Sequence, residues 1–243
     1  MNDVLKRYGS LRNYVAATFS PTTQECVDKA LVFAEQRMRE YTRYDGTPLF
    51  DHDVAVAEIV AKEIGLGRNS TVAAILHDIM RIVSKERPDE VESLSRTIRE
   101  EFGEPVLGII VGLCKISNIK LKVSKEQADD FRDMIVSYSE DPRVILIKLA
   151  DRLEIMRNLD IFPKSSIMRK VTETIMLYIP LAHQLGMYNL KSELEDLYFR
   201  HSDPENYRAI TNKLKATEKD REKLAQEFVK PLEKSLDESG IKY

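Results

Sequence analysis

Apolar residues recur at helical spacing along nearly the whole chain. Val27, Leu31, Ala34, Met38 and Tyr41 share one helical face, and Thr22 with Glu25 forms a capping box in front of it. The stretch 44–50 holds Gly and Pro and breaks the pattern into a turn. A second helix is predicted over about 51–64, ending at the glycines of GLG. A third, STVAAILHDIMRIV, is capped by Ser70 and apolar almost all round, which marks it as central. A polar loop over 84–89 leads into an amphipathic helix ending near Gly103, and 104–113 is a further helix. The least periodic stretch, 115–127, reads as a loop or a small hairpin, with helices resuming over 126–139 and 143–159. RVILIKLADRL alone also fits a buried strand, but its continuation through Met156 favours helix. Helices follow over about 165–180, stopping near Pro180, then over 190–199, and from DPEN onward. A charged tail over 213–238 carries a thin stripe of Leu224, Phe228, Leu232 and Leu236. The expected class is all-α, with a main domain over 1–200 and a helical extension over 201–243.

Composition agrees with this and narrows the classes of function. Of 243 residues, 43% are hydrophobic and 32% charged, enough to bury a large core, and 9 Gly with 9 Pro leave few breaks for a sandwich or barrel. With 37 Lys and Arg against 40 Asp and Glu the net charge is -3, which argues against direct DNA binding. Cys26 and Cys114 lie far apart and form no disulfide framework or paired-cysteine metal motif. No signal peptide opens the chain, and the longest apolar run, 106–114, is far short of the ~20 residues that span a bilayer. A soluble cytoplasmic protein without membrane contact is expected.

Four side chains stand out as metal ligands: His52, the adjacent pair His77 and Asp78, and Asp151. Two imidazoles with two carboxylates suit a borderline-to-hard divalent ion such as Mn, Fe or Zn, and ligands from three helices are what a bundle-core site needs. The residues alone leave a plainer alternative open, with His77 a hydrogen-bonded core histidine and Asp151 paired to Arg152 or Arg157. His183, His201, Lys115, Lys120, Lys122 and the acids Glu193, Glu195 and Asp196 are read as packing or solvated groups.

The order His…His-Asp…Asp resembles the HD metal-dependent phosphohydrolases. The words around it are more specific: GTPLFDHDVAVAEIVAKEIGL, STVAAILHDIMR, RVILIKLADRLEIMRNL and ETIMLYIPLAHQLGMYNLKSELEDLYF resemble segments of the RelA/SpoT family, which makes and degrades ppGpp and pppGpp. The likeness runs from about Tyr41 to Tyr207. It implies an HD-type helical bundle, a Mn2+ ion on His52, His77, Asp78 and Asp151, and guanine nucleotides (ppGpp, GDP or GTP) as ligands. It also implies nucleotide contacts from Arg43 and, where a threonine is usual, Asn158, and a synthetase domain following the present chain.

The chain also departs from the pattern. The acidic pair that follows His-Asp in the family is replaced by Arg81 and Ile82, Glu154 and Ile155 stand for His-Asn, and Asp53 stands for Pro. Arginine stays protonated and isoleucine carries no proton, so neither can serve as a general base. Arg81 also shares a helix face with His77 and Asp78, where it either pairs with the acids in place of an ion or swings to solvent. These losses imply a site that is metal-poor or empty. They also imply a hydrolase decayed into a structural and regulatory module of a GTP pyrophosphokinase. The alternatives are an active Mn-dependent (p)ppGpp 3′-pyrophosphohydrolase with a substitute base such as Glu154, and a non-catalytic guanine nucleotide-binding module.

Overall fold

The computed structural model describes residues 2–117 and 141–240. The expected helix over 126–139, most of the aperiodic stretch before it, and Lys120 and Lys122 lie outside the described residues. Among the described residues the regular structure is helical and no strand is present; Thr42 and Pro48 make one isolated bridge.

In chain order the helices are α1 Asn2–Arg7, α2 Gly9–Thr18, α3 Pro21–Met38, α4 Leu49–Glu58, α5 Arg68–Glu86, α6 Val91–Phe102 and α7 Glu104–Ser117. Then come α8 Pro142–Arg157, α9 Lys164–Glu173, α10 Ile179–Gln184, α11 Tyr188–Ser202, α12 Pro204–Ala216 and α13 Glu218–Glu238. Two compact units divide them, residues 1–197 and 198–243. In the second unit α12 starts on an Asp203 side-chain cap to the Asn206 amide, and Phe199 packs edge-on against Tyr207.

Burial explains the first unit. Along α5 every residue from Ser70 to Val83 except Arg81 is buried, so this helix is the central post. Helices α3, α4 and α7 pack around it, and α3 contributes Val27, Leu31, Ala34 and Met38, all essentially inaccessible. Helix α8 lies close to α7: a Cβ on Gly112 would stand 2.8 Å from Val144 Cγ2. Only a residue lacking a side chain permits that approach.

Several expected boundaries shift for local reasons. The cap of α3 is Ser20, whose Oγ accepts from the Thr23 amide with Pro21 in the first turn; Thr22 and Glu25 do not cap it. Ser70 is buried inside α5, which starts at Arg68 after Gly67. That helix runs to Glu86 before a short 3-10 turn at Pro88–Glu90. Pro180 does not stop a helix but occupies the first turn of α10, entered through the π-turn Thr174–Tyr178. Proline needs no amide partner there.

Candidate metal centre

Helix α4 supplies His52 and Asp53, α5 supplies His77 and Asp78, and α8 supplies Asp151 and Glu154. All six side chains are buried. His52 Nε2 lies 3.3 Å from Asp151 Oδ1, and His77 Nε2 lies 3.6 Å from Asp78 Oδ1. His52, Asp53, His77 and Asp78 each offer an atom within 4.8 Å of the others. Ligands ~2.1 Å from one shared ion sit about 3 Å apart, so this spacing fits a divalent cation after small shifts. The two imidazoles and the carboxylates are donors for Mn, Fe or Zn alike.

Each ligand is oriented from behind. His77 Nδ1 faces the Ala74 carbonyl oxygen at 2.7 Å, and a carbonyl only accepts. Nδ1 therefore carries the proton, and the Nε2 lone pair faces Asp78. Burial lowers the pKa of His77 and keeps it neutral, as a ligand must be. His52 Nδ1 meets Glu154 Oε2 at 2.5 Å. Burial opposes charge on His52, but Asp151 and Glu154 outweigh it and hold its pKa well above the ordinary value. Lys148 donates to Asp151 Oδ2 at 2.6 Å, leaving Oδ1 turned to His52. Despite burial, Lys148 and the two histidines hold Asp151 well below the usual carboxylate range.

Arg81 binds Asp78 with both Nε and Nη2, at 2.6 and 2.7 Å, one of the two behaviours its place on the helix allowed. Burial raises the Asp78 pKa, yet His77 and Arg81 carry it below the carboxylate range. Ile82 is buried in the core and does not line the cavity.

His52, His77, Asp78 and Asp151 line the floor of a cavity of about 460 Å³. Arg43, Arg81, Lys148 and Lys170 bring positive charge to it, and Tyr44, Phe162 and Ile155 give it apolar wall. Tyr44 and Phe162 stand edge to face, 5.6 Å apart. Arg43 reaches the cavity while paired in a fork to Glu154 at 2.7 and 3.3 Å. Asn158 is not part of the lining; its amide donates to the backbone and side-chain oxygens of Glu154. Glu154 thus serves His52, Arg43 and Asn158 at once and is not part of the cavity lining. His183 and the acids at 193–196 lie apart from the cluster, with Glu193 joining Glu63 on Arg157.

Lys148 and Lys170 are lining residues that sequence reading missed. The three-residue offset of Lys148 from Asp151 was a legible signal. Lys170 had none, because α9 brings it in from 19 residues further on. Arg152, buried beside the Tyr178 ring, fastens that helix by donating to the Lys170 carbonyl and to Glu173.

A family model described as HD domain matches residues 30–188. The guanosine-3′,5′-bis(diphosphate) 3′-pyrophosphohydrolase of Aquifex aeolicus (strain VF5) is 36% identical over 222 residues, 91% of this chain and 30% of that protein. The bifunctional (p)ppGpp synthase/hydrolase SpoT of Escherichia coli (strain K12) is 35% identical over 94% of this chain and 32% of its own length. This chain therefore spans about a third of the curated relatives it matches. A solved structure titled "A metazoan ortholog of SpoT hydrolyzes ppGpp and plays a role in starvation responses" superposes with TM-score 0.55 at 20% identity. It covers 76% of this chain and 97% of that one, and so shares the fold.

These findings correct the expectation of a decayed hydrolase. The Aquifex and Escherichia relatives, aligned over nine-tenths of the chain, are named as hydrolases, and His52, Asp53, His77 and Asp78 form a buried cluster that could hold an ion. The substitutions at 81 and 82 weighed too heavily in that expectation. One replaced side chain points into the core, and the other pairs with a ligand's carboxylate without closing the cavity.

Proposed function

The chain belongs to the HD-domain family, in its RelA/SpoT branch, and from that premise we propose that it is an active, divalent-metal-dependent (p)ppGpp 3′-pyrophosphohydrolase. The reaction is ppGpp plus water giving GDP and pyrophosphate. The observation that carries the reading is the convergence of His52, His77, Asp78 and Asp151 on the floor of an open, cation-lined cavity.

In this reading those four residues hold the ion, a donor set that suits a divalent cation, with Mn2+ the one the family resemblance implies. A bound ion supplies the Lewis acidity and the lowered water pKa that the reaction needs. The protein's own groups bind and orient. Arg43, braced by Glu154, offers its flat guanidinium face to the guanine nucleotide. Tyr44 and Phe162 form a wall for the base or ribose. Asn158 contributes by holding Glu154 in place. Lys170 has no carboxylate partner among the described residues, and it receives a phosphate group. Arg81 can turn from Asp78 to the phosphate oxygens of the departing pyrophosphate, which takes the same fork of donors.

We assign this chemistry to a domain within residues 1–200 and read 201–243 as a helical linker toward a synthetase domain, in a cytoplasmic enzyme of guanine nucleotide metabolism. No described helix is long and apolar enough to cross a membrane. The test is a 31P NMR time course of ppGpp with the protein and Mn2+. Growth of pyrophosphate with GDP supports the reading; saturable binding without any new phosphorus signal refutes it.

A further inference from the structure

Arg152 follows Asp151 on α8, so the two side chains leave that helix about 100° apart. Asp151 turns to the cavity, and Arg152 turns to α9. It donates from Nη1 to the Lys170 carbonyl at 3.2 Å and from Nη2 to Glu173 Oε2 at 2.8 Å. Its Cζ stands 4.2 Å from the centroid of the Tyr178 ring. The side chain is buried, and its Nε has no hydrogen-bond partner. A buried cation with one donor unmet is less stable than an apolar side chain of similar volume, so packing alone does not account for an arginine here. Helix α9 buries only Val171 of its ten residues, which leaves it little apolar hold of its own. Arg152 therefore ties the helix that carries Asp151 to the helix that carries Lys170. Lys170 lines the cavity, whereas Arg152 does not, so the arginine acts only through its neighbours.

We propose that Arg152 is a positioning residue: by gripping α9 from the turn that carries Asp151, it fixes Lys170 at the span from the cavity floor at which the ammonium meets a phosphate of the substrate. Two donors of one flat guanidinium fix direction as well as distance, which the single ammonium of a lysine on its flexible stem does not. The charge of Lys170 answers to the same surroundings. Burial and Arg152 bring its pKa down to about 8, with Asp151 and Glu173 opposing and Arg169 adding repulsion. The proposal rests on the hydrolase reading above, and its test separates the two.

Rates with ppGpp and Mn2+ are measured between pH 7 and 9 for the wild type, Arg152→Gln, Arg152→Lys, Lys170→Met and the double variant Arg152→Gln with Lys170→Met. Melting curves identify the folded variants, and Arg152→Lys replaces Arg152→Gln throughout should the latter not fold. Arg152→Gln is expected to raise KM at pH 7 about tenfold with kcat within about twofold, the size of losing the lysine's charged hydrogen bond. The climb of KM past pH 8 should vanish in it, as in Lys170→Met. Arg152→Lys keeps the charge without the fork and should raise KM at least about threefold. On top of Lys170→Met, the arginine change should add less than about twofold, because residues that act through one contact do not add. A wild-type KM in the folded Arg152 variants overturns the proposal, as does a KM loss that adds in full to that of Lys170→Met. Either result leaves the hydrolase reading standing. A wild-type protein that turns over no ppGpp overturns both.

Discussion

Replacing Arg81 with glutamine should tighten metal binding, and the size of the gain reports how the guanidinium behaves. Arg81 holds both oxygens of Asp78, which the proposed centre needs for the ion. Were it to stay there, a unit charge about 6 Å from a divalent ion at an effective dielectric near 20 would oppose binding by roughly 5 kcal/mol. Removing it would then raise affinity by more than three orders of magnitude. The side chain is 46% exposed, however, and can turn away to water. The cost is then only that of giving up a half-exposed fork, about 1–2 kcal/mol. Arg81→Gln should accordingly bind Mn2+ about 5- to 30-fold more tightly, read by calorimetry at low salt, and Arg81→Lys should gain less. An unchanged or weaker affinity in Arg81→Gln refutes the competition between Arg81 and the ion. A gain above a thousandfold refutes the free turning of the arginine.

Lys170 lines the cavity with its pKa pulled down to about 8 by burial and by Arg152. Asp151 and Glu173 face it as opposing charges, Arg169 adds repulsion, and the Phe162 ring lies 4.3 Å from the ammonium. It is charged below pH 8 and loses its charge above, so KM for ppGpp should rise as pH passes 8. Lys170→Met should raise KM about tenfold at pH 7 and abolish that rise, as ~1.4 kcal/mol from one charged hydrogen bond requires. A Lys170→Met variant with wild-type KM would remove the lysine from the site. Glu154→Gln should leave Arg43 without its counter-charge and His52 without its brace. Urea unfolding should then show about 3 kcal/mol less stability, and Mn2+ calorimetry an affinity at least tenfold lower. Gly112→Ala should lose about 1–3 kcal/mol in the same unfolding assay because stiff Val144 blocks the new methyl group, and Val144→Ala should relieve the added loss.

The helical architecture was legible because amphipathic spacing leaves few other solutions, and α5, apolar almost all round, is the central post. The errors came where one residue type has two meanings. Proline ends a helix or begins one, and at 180 it begins one; serine and threonine near a helix start compete for the cap, and Ser20 holds it. At the site, the motif spacing marked His52, His77, Asp78 and Asp151, which the fold brings together from three helices. The charges that surround them were not legible. Glu154 was read as a candidate substitute base, and its contacts to His52 and Arg43 could not be foreseen from the sequence. Asp53 was read only as a departure at the place of a proline, and its full burial without hydrogen-bond partners is visible only in the fold. Arg81 was read either as pairing with the acids or as swinging to solvent, and the fold shows it paired with Asp78 while its side chain stays 46% exposed.

The most direct test of the account is a titration of turnover against metal in chelator-stripped protein. GDP formation from ppGpp should be absent at the start, rise with added Mn2+ until about one ion per chain is bound, and vanish again on EDTA or in His77→Ala. Stripped protein that still releases GDP, or protein saturated with Mn2+ that releases none, would contradict it.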